Sequence, residues 1–243
     1  HWRDWSSDVC SSDLTKIEAG QAIGTGFRLG ALWQVSDRLT FGAAYGSKVE
    51  LPIESGRLDV NMSAQGLGKV QYDDLKLKGL AQAQELGVGA SYRITPRWLV
   101  AADLAWLNWS DALTTTTLRA RDPDNSAAPA VLRITSVLDW RDQYVVSVGT
   151  AYQPIEPVTL WGGYNYGRNP IPNEHLSPLL ANIGEHTLTA GAAWRVRDDL
   201  RLGCAVEYLV PTEVTYDNPD LPFGPSKARQ SYVALHLGLD WRL

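Results

Sequence analysis

The stretch that decides the fold is residues 200–210, Leu200-Arg201-Leu202-Gly203-Cys204-Ala205-Val206-Glu207-Tyr208-Leu209-Val210. Every second residue is apolar, and the residues between them are mostly charged or small. This alternation is typical of a β-strand, because successive side chains of a strand point to opposite faces. A tight turn, Arg197-Asp198-Asp199, precedes the stretch, so a hairpin is predicted with the similar segment before it.

Segments of this kind recur along the whole chain. We predict nine strands, at about 27–35, 39–45, 86–92, 98–109, 144–152, 158–166, 186–196, 200–210 and 232–243. One face of each strand is apolar, whereas the other carries mainly Gly, Ala and Ser with a few charges. A soluble β-sandwich also alternates, but its solvated face would carry Lys, Glu and Thr. Trp and Tyr mark both ends of the strands, as in the aromatic girdles of outer-membrane barrels.

The links between the strands alternate in length. Short links lie at 36–38, 93–97, 153–157 and 197–199, and long links lie at about 51–84, 110–139, 167–185 and 211–229. Outer-membrane barrels have this asymmetry, with short periplasmic turns and long extracellular loops. We therefore predict an all-β fold, a transmembrane antiparallel β-barrel. Because nine strands would leave two open edges in the membrane, we expect the chain to be a fragment that lacks earlier strands.

The composition agrees with a strand-built membrane protein. The mean hydropathy is -0.19, and no run approaches the ~20 apolar residues that a spanning helix needs. Ten Trp and ten Tyr stand against three Phe, and the amphipathic Trp and Tyr rings favour membrane interfaces. The net charge of -5, with no basic stripe along the sequence, argues against a nucleic-acid partner.

The first residues fit nothing that follows them. Residues 1–14 contain the repeated tripeptides Ser6-Ser7-Asp8 and Ser11-Ser12-Asp13 and resemble translated adapter sequence. We interpret residues 1–14 as a foreign segment and residues 15–243 as a partial outer-membrane β-barrel.

Several local patterns in this order resemble a known family. They are Gly26-Phe27-Arg28-Leu29-Gly30-Ala31-Leu32-Trp33-Gln34-Val35, Gly42-Ala43-Ala44-Tyr45, Trp106-Leu107-Asn108-Trp109-Ser110, Trp140-Arg141-Asp142 with Tyr144, Pro170-Ile171-Pro172-Asn173-Glu174 with Ser177-Pro178, and His186-Thr187-Leu188 with Gly191. Over about residues 21–243 the chain resembles the FadL/TodX transporters of Gram-negative outer membranes.

The resemblance implies a monomeric barrel of fourteen strands, plugged by an N-terminal hatch, in the cell outer membrane. The chain would supply the C-terminal nine strands, and the hatch and first strands would be missing. Such barrels carry long-chain fatty acids or other hydrophobic small molecules inward by passive diffusion. Their further partners are outer-membrane lipid and lipopolysaccharide, and the barrel assembly machinery, which reads the last strand. These barrels usually end in an aromatic residue, whereas this chain ends in Leu243.

No catalytic residues, cofactor or metal site are predicted, and we do not expect an enzyme. His175, His186 and His236 fall in a loop, at a strand end and on the inner face, without a convincing Ser partner. Two alternatives to the transporter remain open, namely a general diffusion porin and an outer-membrane enzyme or purely structural barrel.

Candidate ligand-binding residues come from the inner face and the loops: Arg28, Trp161, Leu179, Leu180 and Phe223. Arg28 is expected to lie opposite Gly46 and so to remain unpaired, free to bind a carboxylate. The leucines belong to a set of apolar loop residues that includes Leu176 and Ile183. This set either captures an amphiphile at the surface or packs loop on loop.

Hairpin register gives further expectations. Pairing across the first turn places Trp33 opposite Phe41, and pairing Tyr152 with Val158 places Trp161 opposite Gly149. The fourth turn places Arg195 opposite Arg201, with Asp240 on the next strand. These inner charges are either a structural ion-pair ladder or a site for a ligand head group.

Overall fold

The computed structural model describes residues 15–18, 21–178, 181–219, 221 and 224–241. Its strands are β1 (Thr15–Glu18), β2 (Gln21–Ala22), β3 (Arg28–Gln34), β4 (Leu39–Gly46), β5 (Val49–Glu50), β6 (Ile53–Asn61), β7 (Lys69–Lys78), β8 (Ala81–Gln82), β9 (Glu85–Thr95), β10 (Trp98–Leu107), β11 (Thr115–Pro123), β12 (Val131–Val137), β13 (Gln143–Ile155), β14 (Val158–Gly167), β15 (His186–Arg197), β16 (Leu200–Tyr216) and β17 (Ser226–Trp241). One short helix, α1 (Trp109–Ala112), and two 3-10 turns, Ser63–Gln65 and Asn173–His175, accompany them. Among the described residues, no helix is both long and apolar enough to cross a bilayer.

The larger of two compact units is one antiparallel sheet. Residues 26–48, 83–111 and 138–243 form nine strands in the order β3-β4-β9-β10-β13-β14-β15-β16-β17. These strands confirm the nine predicted from the sequence. Each strand pairs with the one before it in the sheet order, so short turns gather at one end of the strands and long links at the other. We call these the short-turn end and the long-loop end.

The two faces of this sheet differ as the alternation predicts. The outward residues Val146, Val148, Leu202 and Val206 are between 39% and 47% exposed, and similar side chains continue this apolar face across every strand. The opposite face, which we call the small-residue face, carries Ser147, Gly149 and Ala205 from the same strands. A continuous exposed apolar band of this extent requires a lipid environment.

Two of the register predictions are confirmed. Trp33 pairs with Phe41, and their ring centroids lie 6.4 Å apart. Arg195 pairs with Arg201, which in turn pairs with Asp240 on β17. The short turns therefore set the register at these two hairpins as the sequence indicates.

The predicted pairing of Trp161 with Gly149 is wrong. Trp161 lies opposite Ala151, because β13 continues to Ile155 and a bulge between Tyr152 and Ile155 shifts the register. On its other side Trp161 pairs with Gly191, where an added Cβ atom would overlap the indole nitrogen. The aromatic ring thus covers a bare glycine on β15 instead of β13.

A second bulge lies near the long-loop end of β16. The pairing with β17 shifts between Leu209 and Thr212, with Val210 and Pro211 between them. Before the bulge the inner residues of β16 have odd numbers, and after it the inner residues are Thr212, Val214 and Tyr216. The extra residue therefore changes the inward positions of β16 from odd-numbered to even-numbered residues.

The second compact unit is formed by residues from two of the long links, 49–82 and 112–137, together with β1 and β2. Its sheet has the order β1-β6-β7-β11-β12, with β2 on the edge of β6, and β5 pairs with β8. Its core residues Leu58, Val70, Tyr72 and Leu75 are at most 1% exposed. Burial, together with the nearby Asp124 carboxylate, raises the pKa of the Tyr72 hydroxyl.

The strands of this unit are not predicted from the sequence, in which both links are expected to be loops. Irregularities hide the alternation, because Ser55 and Asp122 have positive φ angles of 63° and 56°. The pairing of β6 with β7 also shifts twice within a few residues, on either side of Gly56. Interrupted strands of this kind lose the period of two on which the prediction depends.

Two of the sequence patterns quoted above, residues 106–110 and 140–142, contact each other at the long-loop end of β10 and β13. The Asp142 carboxylate accepts hydrogen bonds from Trp106 Nε1 at 3.0 Å and from the Ser110 backbone N–H at 3.1 Å. Trp109 packs edge-on against Trp140, with ring centroids 5.3 Å apart. Burial acts to raise the pKa of Asp142, but the hydrogen bonds from Ser110 and Trp106 outweigh it and lower that pKa.

Arg substitutions test the assignment of the two faces. Val148→Arg should destabilise the protein by about 2–4 kcal/mol, because it places a charge in the lipid near mid-strand. Ser147→Arg is the matched control, since it falls on the small-residue face opposite Asp103 and should cost much less. Folding titrations from denaturant into lipid bilayers measure both values. Equal losses at the two neighbouring positions would contradict the assignment.

Replacing Asp142 tests the hydrogen-bonded end of β10 and β13. Asp142→Asn should lower the free energy of unfolding by about 1–2 kcal/mol at pH 7, because it removes the charged acceptor. A lowered pKa means that this contribution is present above the unfolded-state value of about 4 and is lost as the pH falls through the folded-state value. Denaturant unfolding should therefore separate wild type from variant at pH 7 and bring them together in acid. Asp217→Asn is the control, because Asp217 lies in an exposed loop, and it should leave the free energy of unfolding unchanged at both pH values. If Asp142→Asn differed from wild type by the same amount at all pH values, the charge-based account would be wrong.

Candidate ligand-binding site

A depression of about 420 Å³ lies on the small-residue face near its β17 edge. Three parallel rows of paired residues build it from β14 to β17. The middle row contains only small residues on three strands, Ala193, Gly203 and Gly238. Because these positions have little or no side chain, the floor of the depression is backbone and methyl groups.

Two ring side chains border the depression toward the long-loop end. Trp161 and His236 occupy the same cross-strand row, and Gly191 and Ala205 lie between them. His236 Nε2 lies 3.5 Å from Glu207 Oε2, and the other Glu207 oxygen accepts a hydrogen bond from the Tyr232 hydroxyl. These contacts orient the His236 side chain on the β17 side of the site, and the Trp161 ring borders the β14 side.

Charged residues border the depression toward the short-turn end. Arg201 and Asp240 line it directly, and Arg195 continues the row on β15. Arg195 is engaged by Glu156, whose backbone oxygen accepts a hydrogen bond at 3.2 Å and whose carboxylate lies at 3.6 Å. The predicted row of Arg195, Arg201 and Asp240 is therefore present, but no ion pair joins these three described residues, and Arg201 and Asp240 instead line the cavity.

Arg28 is not part of this depression. It lies on β3, and four strands separate it from Trp161 on β14. It is opposite Gly46 as expected, but the expectation that it is unpaired is wrong. Arg28 Nη2 lies 2.9 Å from Glu85 Oε2 on β9, and the ion pair forms across Gly46, which has no side chain to separate the two.

Three apolar residues of the 167–185 link that the structure describes, Ile171, Leu176 and Ile183, are packed inside the protein. Leu176 and Ile183 are 0% and 1% exposed and form a cluster with Ile171 and Tyr216. Gln230 on β17 fixes the link by accepting hydrogen bonds from the Ile183 and Gly184 N–H groups at 2.8 and 2.9 Å. For Leu176 and Ile183 the loop-packing alternative is therefore the right one. Leu179, Leu180 and Phe223 lie outside the described residues, and their contact with a ligand stays a prediction.

A second cavity, of about 630 Å³, lies at the long-loop end of the larger unit. Its walls include the charged residues Arg141, Arg168, Glu174, Glu185 and Glu213. Arg141 Nη2 lies 3.8 Å from Glu174 Oε1, and Glu185 Oε1 accepts a hydrogen bond from the Asn169 N–H at 2.8 Å. A cavity with this lining favours water or a polar ligand over a hydrocarbon.

Sequence reasoning found Trp161 and identified Arg201, Asp240 and His236 as inner-face residues, but it did not bring them together in one site. The missing step was the pairing of β14 with β15 across the long 167–185 link, which joins Trp161 through Gly191 and Ala205 to His236. In the described part of the chain, no three His, Cys, Asp or Glu side chains are grouped so that they could hold a metal ion.

Comparisons with known proteins agree with this geometry. Residues 7–240 match the family model described as outer membrane protein transport protein (OMPP1/FadL/TodX). The chain is 23% identical over 182 residues to an outer membrane protein of Neisseria meningitidis, covering 67% of this chain and 38% of the relative. It is 22% identical over 200 residues to a long-chain fatty acid transport protein of Salmonella typhi, covering 78% and 43%.

A solved structure shares the fold. The toluene transporter TodX of Pseudomonas putida superposes with a TM-score of 0.69 at 21% identity, covering 91% of this chain and 50% of that protein. The chain thus spans less than half the length of the two curated relatives and half of the solved barrel.

The nine-stranded sheet, its exposed apolar face and these matches lead to one assignment of fold and location. The fold is an all-β transmembrane antiparallel β-barrel of the outer membrane, and the chain belongs to the outer membrane protein transport protein family (OMPP1/FadL/TodX).

Proposed function

We propose that this protein carries hydrophobic compounds across the outer membrane by passive diffusion along its small-residue face. The observation that carries the proposal is the depression of about 420 Å³, which combines an indole ring, a floor of Gly and Ala, and a charged end. Ligand sites are typically concave and mostly apolar, with a few polar groups that orient the ligand. A catalytic role has no comparable support, because no nucleophile and base converge among the described residues of this site.

The proposed substrates are long-chain fatty acids or other hydrophobic small molecules. The Salmonella relative is named for long-chain fatty acids and the Pseudomonas structure for toluene. A volume of about 420 Å³ would hold a single aromatic ring or one section of an alkyl chain. Burying an alkyl chain yields about 0.8 kcal/mol per CH₂ group, so polar residues would orient the molecule more than they would hold it. The protein would act as a monomer with outer-membrane lipid around it.

Removing the Trp161 ring tests the site. Trp161→Ala should lower uptake of labelled toluene and oleate by about threefold to tenfold at substrate concentrations below saturation, because aromatic contacts contribute about 0.5–1.5 kcal/mol. Uptake into cells that carry the protein in their outer membrane measures the effect.

Trp33→Ala is the matched control, because Trp33 lies on the apolar face against Phe41. It should leave uptake unchanged. An equal loss in both variants would mean that Trp161 acts only through barrel stability. Planar-bilayer recordings add a second check, since large steady ion conductance would favour the general porin instead.

Arg28 is proposed to receive a carboxylate head group, now in competition with Glu85. Arg28→Ala should weaken uptake of oleate but spare a neutral alkane of similar length, because only oleate carries the charge that Arg28 binds. Glu85→Gln should act in the opposite direction and increase oleate uptake, since it frees the guanidinium. Uptake of labelled oleate and alkane, measured side by side, gives both effects.

The two substitutions separate a ligand role from a structural one. An exposed ion pair contributes little to stability, so neither variant is expected to misfold. If both variants lower uptake of oleate and alkane alike, the pair is structural, and the carboxylate role of Arg28 is wrong.

A further inference from the structure

The second unit carries a row of positive charges that the sequence spacing does not reveal. In the sheet, Lys76 on β7 pairs with Arg119 on β11, and Arg119 pairs with Arg133 on β12. Directly paired residues point to the same face, so three cations lie side by side across three strands. Like charges directly opposite one another destabilise a sheet, so the arrangement is unfavourable without an anion.

Two more cations extend this row into a patch. Arg121 and Lys78 lie two residues from Arg119 and Lys76 on the same strands and therefore on the same face. Two carboxylates lie beside them, Asp74 opposite Arg121 and Glu54 opposite Lys76 at the irregular pairing of β6 with β7, and neither of these described residues forms an ion pair with the patch. Five cations and two carboxylates leave an excess of three positive charges, in a chain whose net charge is -5.

The patch lacks partners within the described part of the chain. None of its five cations makes an ion pair or side-chain hydrogen bond there, although Arg57 on the neighbouring strand pairs with Asp73 at 3.2 Å. The Nε atoms of Arg119 and Arg121 are buried from solvent and have no acceptor. A buried donor without an acceptor costs free energy, so the polar groups of these two side chains are incompletely satisfied in the sheet.

We propose that this cationic patch binds the phosphate groups of an anionic glycolipid in the outer leaflet of the outer membrane. Each phosphomonoester carries about −1.5 to −2 charges at pH 7, so a head group with two of them carries about −3 to −4 charges and offsets an excess of three. A single carboxylate would neutralise only one. Guanidinium groups also suit phosphate oxygens, because they donate two parallel hydrogen bonds.

The two links that carry the patch begin and end at the long-loop end of the nine-stranded sheet. Segment 49–82 follows β4, and segment 112–137 follows β10. The long loops of outer-membrane barrels are extracellular. A glycolipid of the outer leaflet is therefore the anion that links of this kind would meet.

The test uses the full chain in non-ionic detergent, titrated with diphosphoryl lipid A. Removing two of the paired cations, in Arg119→Gln/Arg133→Gln, should weaken binding by about 30-fold at low salt, because each cation near an anionic surface contributes about 1 kcal/mol. Monophosphoryl lipid A should bind wild type more weakly than the diphosphoryl form. Raising the salt concentration should weaken wild type more than the double variant.

A matched control removes the same charge elsewhere. Lys227→Gln/Arg229→Gln lies on β17, where Lys227 is paired with Glu213 at 2.7 Å, and should change binding less than twofold. The Gln variant relieves repulsion between like charges and is expected to fold. Arg119→Lys/Arg133→Lys is a second control. It keeps the charge but loses the bidentate geometry, so its loss of lipid A binding should lie between those of wild type and the Gln double variant.

Other ligands decide whether the patch recognises the glycolipid. Equal losses in the control variant would overturn the proposal, as would equal binding of the two lipid A forms. Competition by inorganic phosphate at low millimolar concentration would overturn it in favour of a free-phosphate site. A loss of oleate binding without a loss of lipid A binding would assign the patch to substrate carboxylates instead.

Discussion

Backbone pairing is the constraint on which the rest of this molecule depends. No water is available within hydrocarbon, so each backbone N–H and C=O of the nine-stranded sheet must find a partner on a neighbouring strand. Continuous pairing with a side-chain period of two leaves only two faces, and a slip of one residue would turn every apolar side chain to the wrong one. The β14–β15 pairing runs without interruption from Val158 to Tyr166. The bulges at Tyr152 and Leu209 lie toward the strand ends, where a shift does less harm.

Register also determines what the small-residue face can hold. The depression beside Trp161 exists because Gly and Ala from different strands fall in adjacent rows, although they are distant in the sequence. Gly191 is the sharpest example, since any side chain there would displace the indole that borders the site. The geometry of the ligand site is therefore a property of strand pairing, and a register change in one hairpin would remove it without altering a single residue of the site.

The sequence predicted the parts of the fold that repeat and missed those that deviate. The nine strands, the Trp33–Phe41 pair and the row of Arg195, Arg201 and Asp240 follow from clean alternation and short turns. The position of Trp161 depended on a bulge, which has no signature in the hydrophobic pattern. Glu85 was not foreseen as the partner of Arg28, because it lies two strands away and reaches across a glycine. The second sheet was missed since its strands are interrupted at Ser55 and Asp122.

The long links contain both buried apolar cores and a row of charged residues. Apolar side chains from these links fill two cores, one around Leu58 and Tyr72 and one around Leu176 and Ile183. Ordering a long link costs conformational entropy, and buried apolar area is what offsets that cost. Burial within the links is uneven, because Val131, Ile134 and Val137 on the edge strand β12 remain between 38% and 46% exposed. The same sheet carries the row of Lys76, Arg119 and Arg133, so its exposed surface combines charge with apolar side chains.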